Sequence, residues 1–188
     1  PHTYPAATQV TLTAAPHAGS TSTGWSGDCT GTGTCNVTMS QARSVTATFT
    51  IETHTLTVSV TGNGTVTGTG INCPGDCTET YDYGTVVSLT ATPNANHHLA
   101  AWSGDCSGTG ACSVTMTADR SVGATFAIDT HTLTVSVTGN GTVTGTGINC
   151  PGDCSETYDY GTVVSLTATP NANHHLSAWL GDCAGTGA

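Results

Sequence analysis

Lysine is absent from this chain, and Arg43 and Arg120 are its only arginines. With a formal net charge of −10, nothing gathers into a basic patch. That argues against nucleic acid and against anionic membrane surfaces as partners, since both need Lys/Arg clusters to neutralise phosphate. It also closes internal Lys–Asn isopeptide bonds, so any covalent staple falls to cysteine. Charged residues are 7% of the chain, against roughly 25% in average soluble proteins. Aromatics are scarce too, with two Phe, three Trp and five Tyr. No apolar run is long enough to span a bilayer as a helix, which needs about 18 residues. No ten-residue segment keeps helical periodicity. Cys-x-x-Cys-His is missing as well, which excludes covalently attached haem.

What is present is a repeat. Residues 131–188 match residues 54–111 at 54 of 58 positions, differing only at Thr78/Ser155, Ala100/Ser177, Ser103/Leu180 and Ser107/Ala184. At the offset that lays His131 on His54, Trp25, Cys29, Cys35 and Phe49 fall on Trp102, Cys106, Cys112 and Phe126. The chain therefore reads as a partial unit at 1–53, a complete unit at 54–130 and a partial unit at 131–188. A fixed period of this length means an array of stacked units. A unit no longer than 54–130 has a small core and is expected to need staples. Opening mid-unit at Pro1, the chain reads as a window on a longer secreted protein.

Within the unit, alternation at period two predicts strands. Leu56, Val58 and Val60 alternate with Thr57 and Ser59, giving a half-buried strand. Threonine, the commonest residue of the chain, suits strands with one wet face. Thr61-Gly62-Asn63-Gly64-Thr65 reads as a hairpin turn. A two-residue Asn-Gly loop pairs Val60 with Thr67, whereas a three-residue loop with Gly64 left-handed pairs Val60 with Val66. Cys73-Pro74-Gly75-Asp76-Cys77 reads as a turn, with Pro74 at its first corner and Gly75 at positive φ. Further strands are expected at Thr85 to Thr92, Leu99 to Trp102, Val114 to Met116 and Val122 to Ile128. That makes roughly six per unit, all-β. At the unit boundary the apolar positions slip from even (Val122 to Ile128) to odd (Leu133, Val135, Val137). One strand cannot keep both sets on one core. Each core thus ends near Asp129 and the next begins near His131, across a connector of three or four residues. Neighbouring units should therefore touch.

Eight of the nine cysteines fall in close pairs. Cys29/Cys35, Cys73/Cys77, Cys106/Cys112 and Cys150/Cys154 are expected as local disulfides in an oxidising compartment. Cys183 is the odd one, its repeat partner falling at position 189, past the chain end. Zinc is the competing reading of these pairs, with His97-His98 nearby, but structural zinc sites favour other cysteine spacings; no metal is expected at them.

The run Thr-Leu-Thr-Val, Gly-Asn-Gly-Thr-Val, Tyr-Asp-Tyr-Gly-Thr-Val-Val-Ser-Leu-Thr-Ala-Thr-Pro, Trp-Ser-Gly-Asp-Cys, Val-Thr-Met and Arg-Ser-Val-Gly-Ala-Thr-Phe resembles the divergent internalin-type B-repeat of bacterial surface proteins. The likeness covers essentially the whole unit. It implies a compact β-rich module, sandwich-like or β-grasp-like, repeated along a secreted or wall-attached protein. It brings no catalytic residues.

Asp76, Glu79 and Asp82 bring carboxylates to one turn, and Asp105 sits in a glycine loop. Calcium takes such oxygens, yet no EF-hand or nonapeptide pattern is present. Calcium is thus the only cofactor to weigh against solvated acidic loops. Paired carboxylates also suggest glycoside hydrolysis, but the same residues recur in every unit, which an enzyme rarely needs; none is expected. Trp25, Trp102 and Trp179 read as core anchors beside a disulfide or as sugar-stacking platforms. Asn36, Asn63 and Asn140 open N-glycan acceptor motifs, so glycans join the candidate partners. The expected role is an extracellular stalk, shaft or filament whose partners are neighbouring units and other copies of itself. The alternative is an adhesin with a carbohydrate- or receptor-binding site in each repeat. Burial of Trp102 discriminates between the two.

Overall fold

A computed structural model describes residues 2–185. Among them there is no helix and there are 17 strands. In the first repeat these are β1 (Gln9–Leu12), β2 (Ser20–Gly27), β3 (Cys35–Thr38) and β4 (Val45–Ile51). The second holds β5 (Thr53–Thr61), β6 (Gly64–Gly68), β7 (Ile71–Cys73), β8 (Thr78–Asp82), β9 (Val86–Pro93), β10 (His97–Gly104), β11 (Cys112–Thr115) and β12 (Arg120–Ile128). In the third are β13 (Thr130–Thr134), β14 (Gly141–Gly145), β15 (Ile148–Cys150), β16 (Ser155–Asp159) and β17 (Thr167–Pro170). The complete repeat thus has eight strands rather than six. The extra ones are short pieces on either side of the Cys73–Cys77 turn, too brief for alternation to declare them. By compactness the chain divides into one unit holding residues up to Asn94 with Leu99–Phe126, and another holding Ala95–His98 with residues from Ala127 on.

The complete repeat, 54–130, is two four-stranded sheets, in the orders β10-β12-β5-β8 and β11-β9-β6-β7. Leu56, Val58, Val122, Ala124 and Phe126 from the first sheet meet Val66, Ile71, Val87, Leu89 and Val114 from the second, with Trp102 and Met116, in one core. Each such side chain contributes about 1.5–3 kcal/mol by leaving water. Leu56, Val66, Met116 and Val122 are fully buried. Of the two expected forms, sandwich-like and β-grasp-like, this is a sandwich: Thr and Ser lie on the outer faces, Val and Leu within.

The turn at Gly62-Asn63 corrects a sequence expectation. It is not a hairpin, because β5 pairs with β8 and β12 while β6 pairs with β7 and β9. The chain arches from one sheet to the other. Phe126 explains why. A Cβ on Gly62 (φ +84°) would collide with the Phe126 carbonyl oxygen, and one on Gly64 would sit 2.6 Å from its ring. Strand β12 occupies the place beside β5 that a hairpin partner would take. Gly62, not Gly64, is left-handed. In the Cys73–Cys77 turn, Gly75 does not take positive φ; the bend comes instead from a cis Cys73–Pro74 peptide, with Asn72 and Asp76 exchanging backbone hydrogen bonds at 2.8 and 2.7 Å.

The repeats fold alike where they overlap. Leu12 faces Cys35 across β1 and β3 as Leu89 faces Cys112 across β9 and β11. Gly64 faces Pro93 across β6 and β9, and Gly141 faces Pro170 across β14 and β17.

The connectors are shorter than the expected three or four residues. Only Glu52 separates β4 from β5, and only Asp129 separates β12 from β13. Glu52 donates its N–H to the Gly19 carbonyl at 2.8 Å, and its carbonyl accepts from Tyr83 N–H at 2.8 Å. Asp129 does the same with Asn96 at 2.9 Å and Tyr160 at 2.7 Å. The shortness follows from the slip in apolar parity, which one residue is enough to accomplish.

Candidate functional site

Trp102 leaves β10 pointing into the core, and the glycine loop after it folds back over the indole. Its N–H groups fix that loop twice: the backbone N–H donates to Gly108 O at 2.7 Å and Nε1 donates to Gly110 O at 2.9 Å. The ring is 4% exposed. The Cys106–Cys112 disulfide closes the loop at its base. Trp102 therefore presents no face on which a sugar could stack. The first repeat copies the arrangement: Trp25 donates from its backbone to Gly31 O at 2.9 Å and from Nε1 to Gly33 O at 2.7 Å, beside Cys29–Cys35. In the third repeat, Trp179 N–H donates to Gly185 O at 2.8 Å. Trp25 and Trp179 are half-buried.

A polar clip holds the same loop from outside. Asp105 accepts from Arg120 Nη1 at 2.9 Å and from Ser121 N–H at 2.7 Å, while Arg120 Nη2 donates to Thr117 Oγ1 at 3.0 Å. The Ser121 amide, then Arg120, holds the Asp105 carboxyl below its usual pKa against the opposing effect of burial. Asp28, Ser44 and Arg43 repeat the clip, with Arg43–Asp28 at 2.9 Å and Ser44 N–H on Asp28 at 2.7 Å, and Asp28 is lowered likewise. Asp105 is therefore not a free acidic ligand. Sequence reading missed this pairing, although a signal existed: the only two arginines each follow such an aspartate by 15 residues. Tyr81 was also missed. It is buried and donates its hydroxyl to Thr69 O, and burial, then Glu79, raises its pKa.

The other candidates lie apart. Glu79 accepts from Thr80 N–H at 2.8 Å and Asp76 from Thr78 N–H at 3.5 Å. His98 Nδ1 lies 2.8 Å from Asp129 Oδ1, and His97 Nδ1 lies 2.9 Å from Ala95 O. Cys73–Cys77 and Cys150–Cys154 are bridged as well, so these four cysteines offer no thiolate to a metal ion. Cys183 is free and exposed. Among the described residues no three His, Cys, Asp or Glu side chains gather where they could hold a metal ion. Asn36, Asn63 and Asn140 are all exposed. Asn36 accepts from Thr11 Oγ1 at 2.6 Å, and Asn140 Nδ2 lies 3.2 Å from His174 Nε2. No helix of the described residues is long and apolar enough to cross a membrane.

A repeated core built around one tryptophan and one glycine loop is what a tandem family would share. A family model described as a divergent InlB B-repeat domain matches residues 1–53, 54–130 and 131–188. The chain belongs to that family. No curated protein and no solved structure matches it. The B-repeat is a bacterial surface repeat.

A cleft of about 620 Å³ lies in the third B-repeat between Leu133, Val135, Val143, Leu166 and Trp179. Its counterparts in the second B-repeat, Leu56, Val58, Val66, Leu89 and Trp102, pack against Val122, Ala124 and Phe126. The cleft thus corresponds to the seat of β11 and β12, and its lining is core rather than ligand-recognition surface.

Proposed function

We propose that this chain is a segment of an extracellular structural array, in which disulfide-stapled B-repeats act as a stalk or shaft and catalyse nothing. One observation carries the reading. The connector makes the same two backbone hydrogen bonds at Glu52 and again, one repeat later, at Asp129. A string of independent binding beads has no use for a connector of one residue, tied on both sides. Local disulfides and membership of a bacterial surface-repeat family support placement outside the cell. The burial of Trp102 speaks against the adhesin alternative, which needs that ring at the surface.

Backbone ¹⁵N relaxation on the intact chain tests this. Amides of the second and third repeats should share one rotational correlation time. Separate, shorter times for each repeat would overturn the array and restore the string of binding modules.

A further inference from the structure

The first and last strands of the complete repeat lie side by side. β5 and β12 are the two central strands of their sheet, and they run parallel, in register from Arg120 opposite Leu56 to Thr125 opposite Thr61. The chain enters at the Thr53 end of β5 and leaves at the Ile128 end of β12. Tension along the chain therefore pulls the two strands in opposite directions along their own axes.

The geometry points to a shear clamp: β5 and β12 form a force-bearing element that lets each repeat carry tension. It rests on the reading of the chain as an array, because only a series of linked repeats delivers force to these two strand ends. In this arrangement the rungs between the strands share the load and must give way together. Were the strands pulled from one end, the rungs would break singly. Three details strengthen the pair. Thr55 N–H donates to Asp119 Oδ1 at 2.9 Å, adding a bond before the first rung. Leu56, Val58, Val122 and Ala124 are all buried, so water cannot reach the rungs from the core side to replace a strained hydrogen bond. β8 and β10 flank the pair, so neither strand is an edge. No disulfide joins β5 to β12, since Cys73–Cys77 and Cys106–Cys112 close only local loops. The load falls on hydrogen bonds and packing.

Single-molecule pulling on the full chain tests the clamp by direction. In one geometry the chain is held by its two ends. In the other, an azide-bearing residue at the exposed Asn63 replaces the N-terminal attachment. Asn63 follows the far end of β5, so force there and at Ile128 acts on the same end of the pair and peels it. The second repeat identifies itself by its two bridges, whose cysteines are 4 and 6 residues apart and span 4.5 and 5.6 Å. Reduction should lengthen its unfolding step by about 26 Å at ~3.6 Å per residue, against about 16 Å for the first repeat and about 10 Å for the third. The end-to-end geometry should need at least about twice the rupture force of the Asn63 geometry. Equal forces would overturn the clamp and leave the array standing, whereas separate correlation times in solution would overturn the array and leave a direction-dependent force unexplained by it.

Discussion

Replacing Trp102 by alanine should remove the post around which residues 104–112 are wound. The side chain is 4% exposed and lies in the single core of its repeat. Truncating a buried tryptophan costs about 3–5 kcal/mol through lost transfer energy and the cavity left behind. The loss of Nε1–H adds a second effect, because it strips Gly110 O of its donor; that bond is worth roughly 1 kcal/mol. At roughly 0.05–0.15 kcal/mol per residue, the repeat at 54–130 has about 4–12 kcal/mol in all. Trp102→Ala should therefore remove most of the second repeat's margin, and Trp102→Phe should cost less while still freeing the loop. Native-state hydrogen exchange with peptide-level readout is the suitable assay, since it reports residues 54–130 separately from the rest. Core amides of β5 and β12 should lose protection in the alanine variant by a factor of about 100 or more, which is roughly 3 kcal/mol at about 1.4 kcal/mol per tenfold change. A variant within about 1 kcal/mol of the parent, the size of an average substitution, would refute the anchor role, and the tryptophan would again be a candidate for ligand binding.

Other expectations follow from single contacts. Asp105 has its pKa lowered by the Ser121 amide and Arg120, so its clip stabilises the fold above the unfolded carboxylate value near 3.9 and is lost as pH falls through the lower folded value. The stability gap between the parent and Asp105→Asn should accordingly close in acid in denaturant titrations, and a gap constant down to pH 2 would contradict the clip. Non-reducing peptide mapping should return Cys29–Cys35, Cys73–Cys77, Cys106–Cys112 and Cys150–Cys154. Each closes a loop short enough that reduction costs about 2 kcal/mol; a Cys73–Cys106 link would refute this pairing. Gly19→Asn should displace the Tyr83 ring, which lies where the new Cβ would go, while the backbone tolerates it, as Asn96 shows at φ 61°. Tyr83 should then become as reactive to nitration as the half-exposed Tyr160, and an unchanged nitration rate would argue against the contact.

Most strands were legible, all but β7 and β8 in the complete repeat, and strand pairing was not, for a physical reason. Alternation at Leu56-Val58, Val87-Leu89 and Val122-Ala124 declares which face is buried, because burial acts residue by residue. Pairing is decided by what lies alongside. β5 and β12 are joined across nearly the whole repeat, and nothing local to Thr61-Gly62-Asn63-Gly64 distinguishes an arch from a hairpin. Only the Phe126 ring against those glycines does, and its role belongs to the folded state. The tryptophan loop lies between these cases. Its glycines and paired cysteines mark a closed loop in sequence, while the carbonyls that receive the indole and backbone N–H groups are invisible there.

The Arg–Asp clip has a consequence for survival among proteases. Enzymes that cut after basic residues find only Arg43 and Arg120 in this chain. Both guanidiniums are committed to an aspartate, and Arg120 opens the strand that pairs with Leu56. A protease needs several residues drawn out into its cleft, so the bond after Arg120 becomes available only once β12 has left its sheet. The scarcity of basic side chains thus also leaves trypsin-type enzymes few cleavage sites, and the fold locks the bond after Arg120.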